Sequence, residues 1–185
     1  IKHVWDPAGW PFPPGSALNQ ELVTQPQQRV LFLNRRNMLR RLVSLQMSIQ
    51  AQAWGTGDED RRTLQEFPFR PLDTEVLRHL LASEAPAIAR QRQAIVDSGN
   101  ALLDVWYEDV FDPETPIAGK EAKLATIFEF LGLQPDLRPQ QRDQVRLLFH
   151  PDDGPLNSAA TYRRIPGIDD VEARFGSDAT GHLFH

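Results

Sequence analysis

The chain predicts an α/β fold, helix-rich, with helices flanking a sheet, and three stretches carry that expectation. Residues 29–33, Arg-Val-Leu-Phe-Leu, read as a buried strand that runs directly into a helical pattern ending near Trp54. Residues 101–107, Ala-Leu-Leu-Asp-Val-Trp-Tyr, give a second β run. Between them, Val76, Leu80, Ile88 and Ile95 recur at helical spacing. With 185 residues, 41% of them apolar, one domain with a real core is expected and nothing marks a second. No apolar run approaches the roughly 18 residues of a membrane span. The absence of cysteine excludes disulfides, Cys-based zinc sites and thiol catalysis.

Taken in order, residues 1–4 suit the tail of a strand. Residues 5–15, Trp-Asp-Pro-Ala-Gly-Trp-Pro-Phe-Pro-Pro-Gly, form an aromatic loop, since their prolines fix φ and remove donors. Residues 19–26 connect to the strand at 29–33. Asn37 is placed to cap the following helix, whose Met38, Leu42, Leu45 and Ile49 form the stripe expected to pack on the core. Arg40, Ser44, Ser48 and Ala51 lie on another side, where a ligand would meet small residues. Gly55-Thr56-Gly57-Asp58-Glu59-Asp60 is expected to end that helix in an acidic, exposed loop.

Asp73, with Glu75 behind it, caps a long helix reaching about Ser98 despite Pro86, and Arg90-Gln91-Arg92 is read as its solvated face. After the second β run, Leu124, Ile127, Phe128 and Leu131 form a core stripe, and Pro139–Phe149 a short amphipathic helix. His182 and His185 stand three apart with no further ligand nearby, so no metal site is expected there.

Charge points to the function. Arg29, Arg35, Arg36, Arg40 and Arg41 lie in a window free of Asp and Glu between Leu22 and Gly57. The chain's net charge is −5, so the remainder carries −10, with 15 bases against 25 acids. A cationic island on an acidic protein suits a small, highly charged anion, whereas a nucleic-acid binder spreads basic charge over a whole face. The N–H groups and positive dipole end at residues 37–40 add to that attraction.

Arg36-Asn37, five further residues, then Val43-Ser44 resembles the strand-to-helix segment of the sulfotransferases. In that family an Arg and a Ser at this spacing hold the 3'-phosphate of 3'-phosphoadenylyl sulfate (PAPS). A strand ending Tyr107-Glu108-Asp109, then Asp112-Pro113 and a helix finishing Ile-Phe-Glu-Phe-Leu-Gly-Leu at 127–133, is similar to the family's next segment. By that likeness Tyr107 lies near the adenine. Residues 156–166 and 171–176 resemble the C-terminal segment of bacterial sulfotransferases, a loop over the nucleotide, and imply a phosphate-binding role for Arg163 and Arg164. Cytosolic sulfotransferases carry Lys-x-His at the end of the preceding strand, where the His takes the acceptor proton. Lys2 and His3 are adjacent here, and they are the catalytic pair the resemblance suggests.

The resemblance spans roughly residues 29–175 and implies a P-loop-type parallel sheet flanked by helices. It also implies PAPS as sulfuryl donor without a metal, a carbohydrate or small-metabolite hydroxyl as acceptor, no nucleic-acid partner, and a cytoplasmic location. The family's 5'-phosphosulfate loop is missing: Gly119-Lys120-Glu121 lacks the earlier Gly and the Ser or Thr of a P-loop. A domain lacking its N-terminal strand, loop and helix is therefore expected. A non-catalytic nucleotide-binding module and a helical interaction module remain open alternatives.

Overall fold

Two six-residue strands, β1 (Arg29–Asn34) and β2 (Ala101–Trp106), pair in parallel in the described part of the chain, in a register from Arg29 opposite Ala101 to Asn34 opposite Trp106. The structure is a computed structural model that describes Glu21 and residues 24–54, 57–112, 115–133 and 158–184. The expectations for residues 1–15, including Lys2 and His3, for Pro139–Phe149 and for His185 fall outside these residues. Parallel pairing requires a crossover, supplied by helices α1 (Met38–Ala51), α2 (Asp58–Glu66) and α3 (Thr74–Asp97). Asn100 starts the pairing by accepting the Gln28 N–H on its Oδ1 and donating to Gln25 O, both at 2.9 Å. Beyond β2 come α4 (Tyr107–Phe111), α5 (Ile117–Leu131), α6 (Ala159–Tyr162) and α7 (Ile168–Phe175). The described residues thus form a mixed α/β structure, rich in helix, with a small parallel sheet.

The expected caps are present: Asn37 accepts from the Arg40 N–H, and Asp73 from those of Glu75 and Val76. The faces differ from expectation. Helix α1 buries Leu39, Leu42, Val43 and Met47, together with Ser44, Gln46 and Ala51, while Ile49 stands 50% exposed. The buried stripe is therefore turned toward Leu39, because the C-terminal segment covers that side with Tyr162, Ile165, Ile168, Val171 and Leu183. Ser44 lies beneath it and Ala51 is buried in the same cluster, so the small-residue face expected for a ligand is largely covered.

On α3 the buried line is Leu77, Glu84, Gln91 and Ile95, half of it polar. Arg90-Gln91-Arg92 is therefore not simply a solvated face: Gln91 is buried and Arg92 pairs with Asp104. Glu84 is matched across the interface by Arg41 of α1, which makes burial of its carboxylate tolerable. Asp58, Glu59 and Asp60 do not form a loop but the first turn of α2, where three acids suit the positive end of the helix.

Gln46 and Gln50, one turn apart on α1, hold the extended segment before α3. Each side-chain amide exchanges two hydrogen bonds with the backbone N–H and C=O of one residue, Gln46 with Asp73 and Gln50 with Arg70. A smaller apolar cluster joins Val105 of β2, Val110 of α4 and Leu124 and Ile127 of α5. It fixes the helices that follow the sheet against the end of β2.

Candidate functional site

The site lies where β1 turns into α1. Asn34 ends the strand and Asn37 caps the helix, so Arg35 and Arg36 occupy the turn between them, at the carboxyl ends of both parallel strands. Ligands of open α/β sheets bind at such strand ends. The turn is locked by the residues after β2. The Glu108 carboxylate accepts the N–H groups of Arg36 and Asn37, at 3.0 and 3.1 Å. Asp109 receives Nη1 of Arg36 at 2.6 Å and Nζ of Lys123 at 3.1 Å. The hydrogen bond from Arg36, helped by Lys123 and opposed by partial burial, holds the Asp109 carboxyl below the usual carboxylate range. Arg35 lies over the Tyr107 ring at 4.2 Å and Arg36 over the Trp106 ring at 5.1 Å.

The helix N-terminus is not open to an external anion as the sequence suggested. Glu108 is the anion at Arg36 and Asn37, Asn37 Oδ1 takes the Arg40 N–H, and Thr180 O takes the Leu39 N–H. The C-terminal segment continues over this turn. His182 O accepts from Asn37 Nδ2, and Leu183 O accepts from the Arg40 guanidinium. Glu172 steadies the segment by taking His182 Nδ1 and the Leu183 N–H, each at 2.8 Å. A Cβ on Gly181 would come within 2.4 Å of Asn37, and its φ of +85 also requires glycine.

Arg36 and Ser44, expected to share one anion, have separate partners. Arg36 turns to Asp109, while the buried Ser44 hydroxyl meets the Tyr162 hydroxyl at 3.2 Å. Burial pushes the Tyr162 phenol above its ordinary range, against the pull of Ser44, Arg35 and Arg40, so it keeps its proton at neutral pH. Arg163 and Arg164 have partners within the chain. Arg163 lies 4.6 Å over the Phe184 ring, and Arg164 donates to Leu64 O and Phe67 O at the end of α2. Sequence reasoning missed Glu108 as the clamp, although Tyr-Glu-Asp at a strand end was its signal. It also missed Tyr162, for which no local signal exists.

A cleft of about 490 Å³ opens beside the turn. Asn34, Arg35, Arg36, Asp104 and Trp106 line it from the strand ends, and Ala85, Ile88, Ala89 and Arg92 from α3. Arg92 donates from Nε and Nη2 to Asp104 at 2.9 and 2.8 Å, and Asn34 Nδ2 reaches the other Asp104 oxygen at 3.3 Å. Three guanidinium groups against one carboxylate make this cleft cationic. Among the described residues, no three His, Cys, Asp or Glu side chains gather as a metal site, and no helix is long and apolar enough to cross a membrane.

Comparison with known proteins gives no match, whether to a family model, a curated protein or a solved structure.

Proposed function

We propose that the protein is a PAPS-dependent sulfotransferase that moves a sulfuryl group to a hydroxyl of a carbohydrate or small metabolite, and that β1 and β2 belong to a P-loop-type parallel sheet. One observation carries the reading. The two stretches that separately resemble the family, Arg36–Ser44 and Tyr107–Asp109, meet through Glu108, Asp109 and Tyr107, and gather arginines at the carboxyl ends of parallel strands.

Arg36 remains available to a phosphate. Its Nε and Nη2 make no hydrogen bond with any described residue, and its pair with Asp109 is solvent-exposed, worth under about 1 kcal/mol. Exchanging that partner for a dianionic phosphate costs little, and Arg35 adds a second charge beside it. Ser44 contributes by holding Tyr162 under this turn, and Tyr107 presents the ring proposed to lie near the adenine.

In the reaction, the acceptor oxygen bonds to sulfur as the bond from sulfur to the 5'-phosphate oxygen breaks. The nucleotide 3'-phosphoadenosine 5'-phosphate leaves, and the acceptor proton passes to a base, for which the resemblance offers His3 with Lys2 beside it. Positioning and cationic stabilisation carry such a transfer. Calorimetry with 3'-phosphoadenosine 5'-phosphate tests the reading. Binding is expected, and Arg36→Ala should weaken it by about 1.5–3 kcal/mol, the worth of a charge-assisted bond. No binding to the unaltered chain rejects the reading, while binding without sulfuryl transfer leaves a nucleotide-binding module.

A further inference from the structure

The cleft beside the turn has features that the nucleotide reading does not use. Ser44, Tyr107 and Tyr162 do not line it, and its far wall is the α3 face of Ala85, Ile88 and Ala89. Its cations hold unspent donors. Arg35, only partly exposed, makes no hydrogen bond with any described residue, and its guanidinium lies over the Tyr107 ring. Nη1 of Arg92 is likewise unengaged, because Asp104 occupies Nε and Nη2 and fixes the direction of the fork. Trp106 adds an aromatic wall. A carboxylate matches guanidinium donors, and a ring with apolar faces matches indole and alanine walls. The volume of about 490 Å³ is that of a small-molecule site rather than of a lone ion.

We propose that this cleft is a subsite for a carboxylated sugar, a uronic acid, with its carboxylate on Arg92 and Arg35 and its ring between Trp106 and the α3 face. Arg35 and Arg36 border both this cleft and the proposed seat of the 3'-phosphate, so the occupant lies beside the nucleotide. Only that last placement rests on the sulfotransferase reading.

Calorimetry on the full chain with two matched probes tests the cleft directly. 4-Nitrophenyl β-D-glucuronide should bind at least about ten-fold more tightly than the neutral 4-nitrophenyl β-D-glucopyranoside, the difference expected for one charge-assisted contact. Arg92→Ala should abolish that preference. Since Arg92 also holds Asp104, a second variant is needed: Ala89→Trp fills the cleft from an exposed helix position without touching the core. It should weaken glucuronide binding by about ten-fold or more and leave binding of 3'-phosphoadenosine 5'-phosphate unchanged. Equal affinity for the two glycosides, or an unaffected Ala89→Trp variant, would each overturn the proposal. Glucuronide binding without nucleotide binding would reject the sulfotransferase reading and keep the cleft assignment, and the reverse result would do the opposite.

Discussion

Glu108 and Asp109 divide the work at the β1–α1 turn: the first satisfies two backbone donors, the second neutralises a side chain. Because Arg36 depresses the Asp109 pKa in the folded state, the stability this pair contributes is fully present above the unfolded value of about 3.9 and is lost as pH falls through the lowered folded value. Asp109→Asn should therefore lower stability at neutral pH, by less than about 1 kcal/mol for so exposed a pair. The difference between variant and parent should begin to shrink below about pH 4 and vanish only once pH has fallen below the lowered folded value. Urea titrations from pH 7 to pH 3 check this, and a difference that grows in acid would remove Arg36 as the partner that matters. At this scale the sequence was informative where a residue acts on its neighbours, as with the Asn37 and Asp73 caps. It was silent where partners lie far apart in the chain: nothing around Tyr162 announces that its hydroxyl meets Ser44, 118 positions away.

At the scale of elements, existence was easier to read than orientation. Strands at 29–33 and 101–107 and the long helix from Asp73 were legible because apolar periodicity and cap residues are local signals. The buried face of α1 was not, since its sequence offers two overlapping apolar stripes and only the C-terminal segment decides between them. Leu39→Ala should consequently cost about 2–5 kcal/mol, as a fully buried leucine does, while Ile49→Ala should change stability by no more than about 0.5 kcal/mol. Equal losses in denaturant titrations would return Ile49 to the core. Helix α3 hid its face differently. Glu84 and Gln91 sit where periodicity expects apolar residues, and the compensating Arg41 lies on another element. Helix α2 was misread because its acids were taken as loop polarity, although acids in a first turn signal a helix start.

For the molecule as a whole, the sequence conveyed the α/β class and the arginine-rich turn, and it did not convey what encloses that turn. The pairing of β1 with β2 has a consequence of its own in time. Arg36 and Glu108 are 72 residues apart, so the strands and the clamp that fastens them close a large loop before any contact repays its entropy. Helices α1 and α3 need only neighbours in sequence to begin forming, whereas the sheet has to wait for the whole crossover. The cost of that closure predicts a clamp assembled after the rate-limiting barrier. Glu108→Gln should quicken unfolding and leave refolding nearly unchanged, a pattern that stopped-flow chevrons resolve directly. Slowed refolding with unchanged unfolding would place strand pairing in the nucleus instead. A late clamp would act as a kinetic latch: the turn at Arg35 and Arg36 takes its final geometry only in chains that have already committed to the native state.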